Sequence, residues 1–530
     1  MLNSIKVLLR PIGLMDAMVA IALVSLLGVQ LYGFARDPGV GWHLKTGQIV
    51  LESGSVPHLD PFLSHSEERE WVSDQWLSDL LLYWLYKVGS WPYLYCFFVV
   101  IFAFGYLYLL HRGVSEFGGS SLAAAIAVLL AFKLSQIHFL LRPVGLSFFF
   151  FTLVYVVLYG LYNSFRQRVD QRSLRRRILM AHLIFPLLFA LWANMHPAFI
   201  LGLFLIGMLT ISVALDPYFF EGDELKSDRR ALIQGLLTLF AASLAATWFN
   251  PYGLNLHASI FELGRSDFFM NLHMEWHSPD FKEFAGMLFQ AALGLMVLGV
   301  VLGGIGRLRW GFFELGLVVG FAFLSMRSVR FLPFYGIAIS IPLSQAIVNL
   351  KHSCFWERFS LLKNFPRYFG ILEARERRTN RGALILGIGL LVVVLQTLRS
   401  GEIPFYEGEY GPPHKTYPYA ALAQLDSIIG SNQQNVITIA STPSWGGFLA
   451  WHGYPRLKPL LDDRNTLVGE TFYREFDSKM KAGGGWREYL DKMDADYLLL
   501  GASSPLGNSI LECDVLPLLY RDDVAMLFKL

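Results

Sequence analysis

A 530-residue chain with 54% hydrophobic residues, only 16% charged residues and 43 phenylalanines is too apolar for a water-soluble fold, where roughly a quarter of residues carry charge. Its formal net charge of +2 offers no surplus for a nucleic acid or another polyanion. Lipid must be a large part of its solvent.

Apolar runs of roughly 17–25 residues predict about eleven spans, near 14–34, 91–111, 119–136, 144–163, 178–193, 198–215, 231–249, 285–304, 311–326, 331–349 and 382–398. Lys6 and Arg10 precede the first run as in a signal peptide, but that run is long and no small-x-small site follows, so it reads as an uncleaved span. Ser164–Arg177 holds six Arg against one Asp, and Lys351–Arg381 holds eight Lys or Arg. The positive-inside rule makes both loops cytoplasmic, which puts the N-terminus inside and the C-terminus outside. Cys96 then falls in a span, Cys354 in a cytoplasmic loop and Cys513 in the outer part, so no two are placed to form a disulfide or a zinc site.

The outer loops concentrate the polar chemistry. The first, Arg36–Ser90, opens with Asp37-Pro38 just past the first span, and Pro38 turns the chain out of the helix. A carboxylate there can accept a proton or hold a divalent cation, Mg²⁺ or Mn²⁺, with His43, Asp60 and Asp74 in the same loop to assist; a plain helix stop with solvated neighbours is the alternative. Further along, Val72, Trp76, Leu80 and Trp84 recur every four residues, the stripe of a helix lying in the membrane interface, with Asp74 and Ser78 off it.

Arg142, Arg327 and Arg330 run against the positive-inside rule in tight outer turns. A guanidinium fork suits phosphate oxygens, so these three are candidate ligands of a lipid phosphate; pairing with first-loop acids is the alternative. Asn194 and His196, in Trp192-Ala-Asn-Met-His-Pro197, face the same outer side, His196 as a possible polariser of a phosphate or hydroxyl. Asn250, His257, Glu275 and His277 crowd the next outer loop without metal-ligand spacing.

Hydropathy falls from about Gly401, and residues 400–530 read as an outer α/β domain following a membrane domain over 1–399. Val436–Ala440, Tyr497–Leu500 and Val524–Leu530 predict strands, and Ala420–Ile429 and Trp486–Met493 predict helices. Ser444-Trp-Gly-Gly lacks the Lys-Ser/Thr of a phosphate loop and reads as a strand-to-helix turn packed under Trp445. Asp462-Asp463-Arg464 reads as a strand-end cluster that either binds a polar substrate or holds a turn.

An acid after the first span, a long first outer loop with an interfacial helix and a C-terminal outer domain together resemble the C-type glycosyltransferase superfamily, which includes oligosaccharyltransferases, protein O-mannosyltransferases and lipid A aminoarabinose transferases. Asp37-Pro-Gly-Val-Gly-Trp-His-Leu-Lys-Thr-Gly47, Val56-Pro-His-Leu-Asp-Pro-Phe62, Leu141-Arg-Pro143, Trp192-Ala-Asn-Met-His196, Trp445-Gly-Gly-Phe-Leu and Asp463-Arg464 look like a bacterial branch of it. The resemblance spans nearly the whole chain and implies a mostly α, polytopic fold. It implies transfer of a sugar from a polyprenyl-phosphate donor to a glycan, lipid or protein acceptor at the periplasmic face of a bacterial inner membrane. Asp37 matches the superfamily's first-loop base; Arg142, Arg327 or Arg330 would hold the departing phosphate, and Trp445 and Arg464 a rim of the acceptor cleft. The chain departs from the pattern in carrying Asp-Pro where several monosaccharide transferases carry Asp-Glu, and in lacking a Trp-Trp-Asp motif. A lipid transporter or flippase, and a non-catalytic scaffold with a transferase-like fold, are the rival classes.

Overall fold

The structure, a computed structural model, describes residues 13–64, 69–167, 170–216, 226–264, 266–272, 274–304, 310–353, 355–356, 363–379, 382–430 and 436–530. Lys6, Arg10 and Cys354, and parts of the two basic loops, lie outside them. The described helices before the sheet include α1 Leu14–Gly28, α2 Val40–Ser53, α3 Trp76–Phe102, α4 Ser121–Ser135, α5 Val144–Arg166, α6 Gln171–Met195, α7 Phe199–Leu215, α8 Lys226–Ala246, α9 Asn255–Leu263, α10 Phe284–Gly303, α11 Phe312–Arg327, α12 Leu332–Lys351 and α13 Gly382–Ser400. Among the described residues, eight helical segments are long and apolar enough to cross a membrane. This is a membrane protein. The expected count of eleven is not reproduced on that criterion: Phe199–Leu215 is shorter, and α8 and α11, at the expected spans 231–249 and 311–326, are not among the eight.

Two features of the first loop differ from the sequence reading. Val40–Ser53 forms a helix, α2, that the glycines at 39, 41 and 47 had disguised as loop. The stripe helix does not stand alone: it is the first part of α3, which bends at Gly89 and Ser90 and runs on into the span beyond. A Cβ on Gly89 would sit 2.0 Å from the Tyr93 ring, so the bend needs glycine there. The face of this part that packs against the protein, α2 included, is Ser78, Asp79, Leu82 and Tyr83; none of Val72, Trp76, Leu80 and Trp84 is buried, and Trp84 points outward, 51% exposed.

Further along, α14 Tyr419–Ile429, β1 Ile437–Ser441, α15 Pro443–Gly453, β2 Leu457–Pro459, α16 Glu470–Met480, β3 Tyr497–Gly501, α17 Pro505–Cys513, β4 Leu518–Arg521 and β5 Ala525–Lys529 build a five-stranded sheet of order β2-β1-β3-β5-β4. β2, β1 and β3 are parallel, whereas β5 is antiparallel to both β3 and β4. Alternate residues feed opposite faces: Ile437, Ile439 and Leu499 pack with Leu422 and Phe448, while Leu498 and Leu500 pack with Phe476 and Ile510. Gly446 and Gly447 lie inside α15, not in the expected turn before it.

α15 rests on α2 at a distance only glycine permits. A Cβ on Gly41 would stand 2.1 Å from the Gly447 carbonyl oxygen, and one on Gly447 would stand 2.4 Å from that of Pro38. This contact brings the carboxyl end of β2 to the Asp37 turn.

Candidate active site

Asp37 is held by its own turn. Pro38 has no N–H to continue a helix, and the Gly39 N–H donates to Asp37 Oδ1 at 2.8 Å, which launches α2. Leu141 N–H donates to the Phe34 carbonyl at 2.9 Å, tying the turn before α5 to the end of the first span. That tie sets Arg142 beside Asp37, with Nη1 3.1 Å from Oδ2.

Glu275 extends the cluster from the loop between α9 and α10. Its Oε2 lies 3.6 Å from Arg142 Nη1 and 3.8 Å from His138 Nε2, and its Oε1 lies 3.1 Å from Arg330 Nη1. Arg330 also stacks over Trp276 at 4.6 Å. Ser328 Oγ donates to the Glu275 carbonyl and Val329 N–H to that of His277, so the two loops are zipped together. The side chains of Arg142, Arg330 and Glu275 are each about a quarter exposed, whereas Asp37 is buried. The two guanidinium groups are therefore partly accessible, with carboxylates beside them.

The segment after β2 closes the far side. Trp42 Nε1 donates to Asp463 Oδ1 at 2.9 Å. Asp463 Oδ2 and Asp37 Oδ1 each lie 3.0 Å from where a Cβ on Gly39 would stand, so the two carboxylates are neighbours. Asp462 accepts from Arg464 Nε and Nη2, and Arg464 Nη1 lies 2.9 Å from Asp60 Oδ1. The guanidinium is sandwiched among Trp42, Phe62 and Trp71 at 5.3, 5.1 and 4.5 Å.

Burial dominates the proton affinities here. It raises Asp37 despite the Arg142 charge and the Gly39 N–H. Burial, with the charges of Asp462 and Asp37, pushes Asp463 up to about 7, against the pull of Arg142 and Arg464. Asp74 is pushed up to about 6, mainly by burial. His196 is held well below its usual value by burial and then by Arg330 and Arg142, so its imidazole is neutral at pH 7.

The residues proposed from sequence divide into two groups. Asp37, Arg142, Arg330 and His196 come together. Asp60, Asn194, Trp445 and Arg464 are occupied with the protein itself. Asp60 accepts the Phe62 and Leu63 N–H groups and pairs with Arg464. Asn194 accepts from Trp76 Nε1 and donates to the Ala190 and Phe249 carbonyls, which uses its amide at both ends. Trp445 is buried and donates to the Thr416 carbonyl, so it forms no rim. Arg464, 7% exposed at its side chain, is an internal pin rather than a rim group. Arg327 is exposed and makes no ion pair among the described residues.

His43 lies inside α2, its Nδ1 2.6 Å from Asp79 Oδ1 and its ring stacked on Trp42. Its Nε2 and Asp79 Oδ2 find no hydrogen-bond partner among the described residues. Burial holds its imidazole well below the usual range, so it is neutral. In the sequence Glu275 is one of several polar residues of its loop, and Asp463 is part of the Asp462-Asp463-Arg464 cluster that either binds a polar substrate or holds a turn; neither is singled out there. For Asp463 a signal existed, because ligands of parallel sheets gather beyond the carboxyl ends of strands; for Glu275 none did, since an acid in a polar outer loop is unremarked until its partners are seen.

The described residues form no all-protein cage for Mg²⁺ or Mn²⁺. Among the described residues no three His, Cys, Asp or Glu side chains converge on a metal position. Asp37 is engaged by Gly39 and Arg142, and Glu275 lies between two guanidinium groups, where a hard cation would need open oxygens.

An apolar cleft of about 770 Å³ runs between α7, α8, α9 and α11, lined among others by Ile200, Leu203, Phe204, Met208, Phe261 and Val319. Its lining starts at Ile200, in the first turn of α7, four residues past His196.

No family model matches the sequence, and no curated protein matches it. Solved structures do. The oligosaccharyltransferase of Archaeoglobus fulgidus tethered to an acceptor peptide with the NVT sequon superposes with a TM-score of 0.56 at 12% identity, over 92% of this chain and 68% of that one. The same archaeal enzyme, AglB, in complex with an inhibitory peptide and a dolichol-phosphate gives 0.56 at 13% identity, over 92% and 69%. ArnT from Cupriavidus metallidurans bound to undecaprenyl phosphate gives 0.47 at 13% identity, over 97% of each chain. What the two archaeal structures share with this chain, at such identities, is the fold.

Proposed function

From the fold of the C-type membrane glycosyltransferases, we propose that this chain transfers a sugar from a polyprenyl-phosphate donor to an acceptor at the extracytoplasmic face of a bacterial inner membrane. The observation that carries the reading is the pair Arg142 and Arg330, partly exposed and gathered by Glu275, in a chain that also holds an apolar cleft starting four residues past His196. An isoprenoid chain fits a cleft of that size and lining, and its phosphate would meet the two guanidinium groups. Charge grows on that phosphate as the glycosidic bond breaks, so donors held in place beforehand lower the barrier. Carboxylates behind the arginines keep them oriented, and the neutral His196 adds no competing positive charge. The C-terminal unit, with Asp463 beside Asp37, stands on the acceptor side. The basic loops at 164–177 and 351–381 support a cytoplasmic face opposite the cluster.

Full-length protein in nanodiscs tests the donor half directly. Undecaprenyl phosphate should bind the wild type, and Arg142→Ala with Arg330→Ala should lower its affinity by about 10–100-fold. Unaltered binding in the double variant would remove the phosphate assignment. The direct Asp37–Arg142 pair favours a second reading, a scaffold in which those two side chains only hold loops together. That reading predicts full cellular function for Asp37→Asn in a stably folded protein.

A further inference from the structure

A general base needs an oxygen lone pair that faces the proton it removes. Asp37, the residue expected in that role, has both oxygens engaged, by the Gly39 N–H at 2.8 Å and Arg142 at 3.1 Å, and it is 3% exposed. Asp463 differs on each count. One of its oxygens is fixed by the Trp42 indole, the other accepts no hydrogen bond among the described residues, and the side chain is partly exposed. That open oxygen lies on the Asp37 side of the cleft, over Gly39, where a larger residue would fill the space.

We infer that Asp463, supplied by the sheet-bearing C-terminal unit, is the catalytic base of the transfer proposed above, and that Asp37 is a positioning residue that holds Arg142. The inference rests on that transferase reading. In the step, Asp463 Oδ2 takes the proton of an acceptor hydroxyl while the hydroxyl oxygen forms a bond to the anomeric carbon of the donor sugar. The bond from that carbon to the phosphate oxygen breaks, and its electron pair leaves on the lipid phosphate, facing Arg142 and Arg330. The proton on Asp463 then returns to solvent or to the departing phosphate.

The surroundings suit the task. Groups facing Asp463 are Asp462 and Arg464 on its own segment, Asp37 from the first loop, Arg142 from the turn before α5 and Tyr417 before α14. Burial and the two neighbouring carboxylates hold it at about 7, so it is part deprotonated at neutral pH and still basic enough to accept a proton.

The test uses full-length protein and two readouts. Binding of undecaprenyl phosphate in nanodiscs reports the donor reading. Passage of metabolic label from the host's polyprenyl-phosphate sugars to acceptor, in host membranes across the neutral pH range, reports turnover. Asp463→Asn keeps an oxygen for the Trp42 indole, so the fold and the lipid binding should persist while turnover falls about 10²–10³-fold. The wild type should lose activity on acidification through about pH 7, and the residual activity of Asp463→Asn should lack that limb. Asp463→Glu should recover part of the rate, and Asp37→Asn should weaken turnover while keeping an acid limb, moved to lower pH because the Asp37 charge is one of the causes that raise Asp463. Wild-type turnover in Asp463→Asn, or loss of the acid limb in Asp37→Asn instead, overturns the assignment. Absence of undecaprenyl phosphate binding by the wild type would bring down the donor reading, and this inference with it.

Discussion

At the scale of single residues, charge set against an apolar background was the legible signal. Asp37, Arg142 and Arg330 stood out in sequence because each is costly to bury without a partner, and the structure gathers them through Asp37–Arg142 and the two Glu275 contacts. Arg464 was legible as a charge but not as to its role, because its partners Asp60 and Asp462 and its three aromatic neighbours come from distant segments. Arg464→Ala leaves two buried carboxylates without their cation and should destabilise the outer half by about 3–5 kcal/mol, read as early loss of that half in a thermal or denaturant scan. Asp74 carries a pH prediction. Its folded value, about 6, lies above the ordinary 3.8, so the folded state holds the proton more tightly. Its contribution to stability is present at low pH and is lost as pH rises through about 6. Asp74→Asn should therefore stabilise the protein at pH 8 more than at pH 5, by on the order of 1 kcal/mol, read from denaturant unfolding at the two pH values.

Between elements, the informative feature is the approach of α15 to α2. Gly446 and Gly447 were read correctly as permitting close packing, but the surface they meet was not legible, since α2 itself was hidden by its glycines. The positions Val40, Leu44 and Gly47 in that segment do follow a helical period, and all are buried; the Asp-Pro-Gly start concealed it. Gly41→Ala or Gly447→Ala would place a Cβ within 2.4 Å of a backbone carbonyl. Either should cost about 1–3 kcal/mol and depress turnover by more than its effect on lipid binding, because it moves the strand-end segment away from Asp37. Strands β1, β3 and β5 and the helix at 419–429 lay within a residue or two of expectation, as buried apolar runs bounded by turns tend to do. The zipped loops that present Glu275 have no periodic signal and emerge only from long-range contacts.

At the scale of the whole molecule, membrane character was legible from composition and the mostly α fold with a C-terminal sheet from hydropathy runs and motif order, whereas the exact number of spans was not, because short helices such as Phe199–Leu215 owe their burial to neighbours rather than to length. Guanidinium groups, in place of a divalent cation, face the carboxylates, so transfer should continue undiminished after exhaustive treatment with a chelator; a loss restored by Mg²⁺ or Mn²⁺ would show that the site rearranges to bind one. The hydrogen bond between Trp42 and Asp463 joins residues 421 positions apart in the chain. During synthesis, then, the arginines and the lipid cleft are complete long before the second carboxylate exists. A nascent or truncated chain would hold the donor without spending it, and the timing of competence would be set by the folding of the sheet rather than by insertion of the helices.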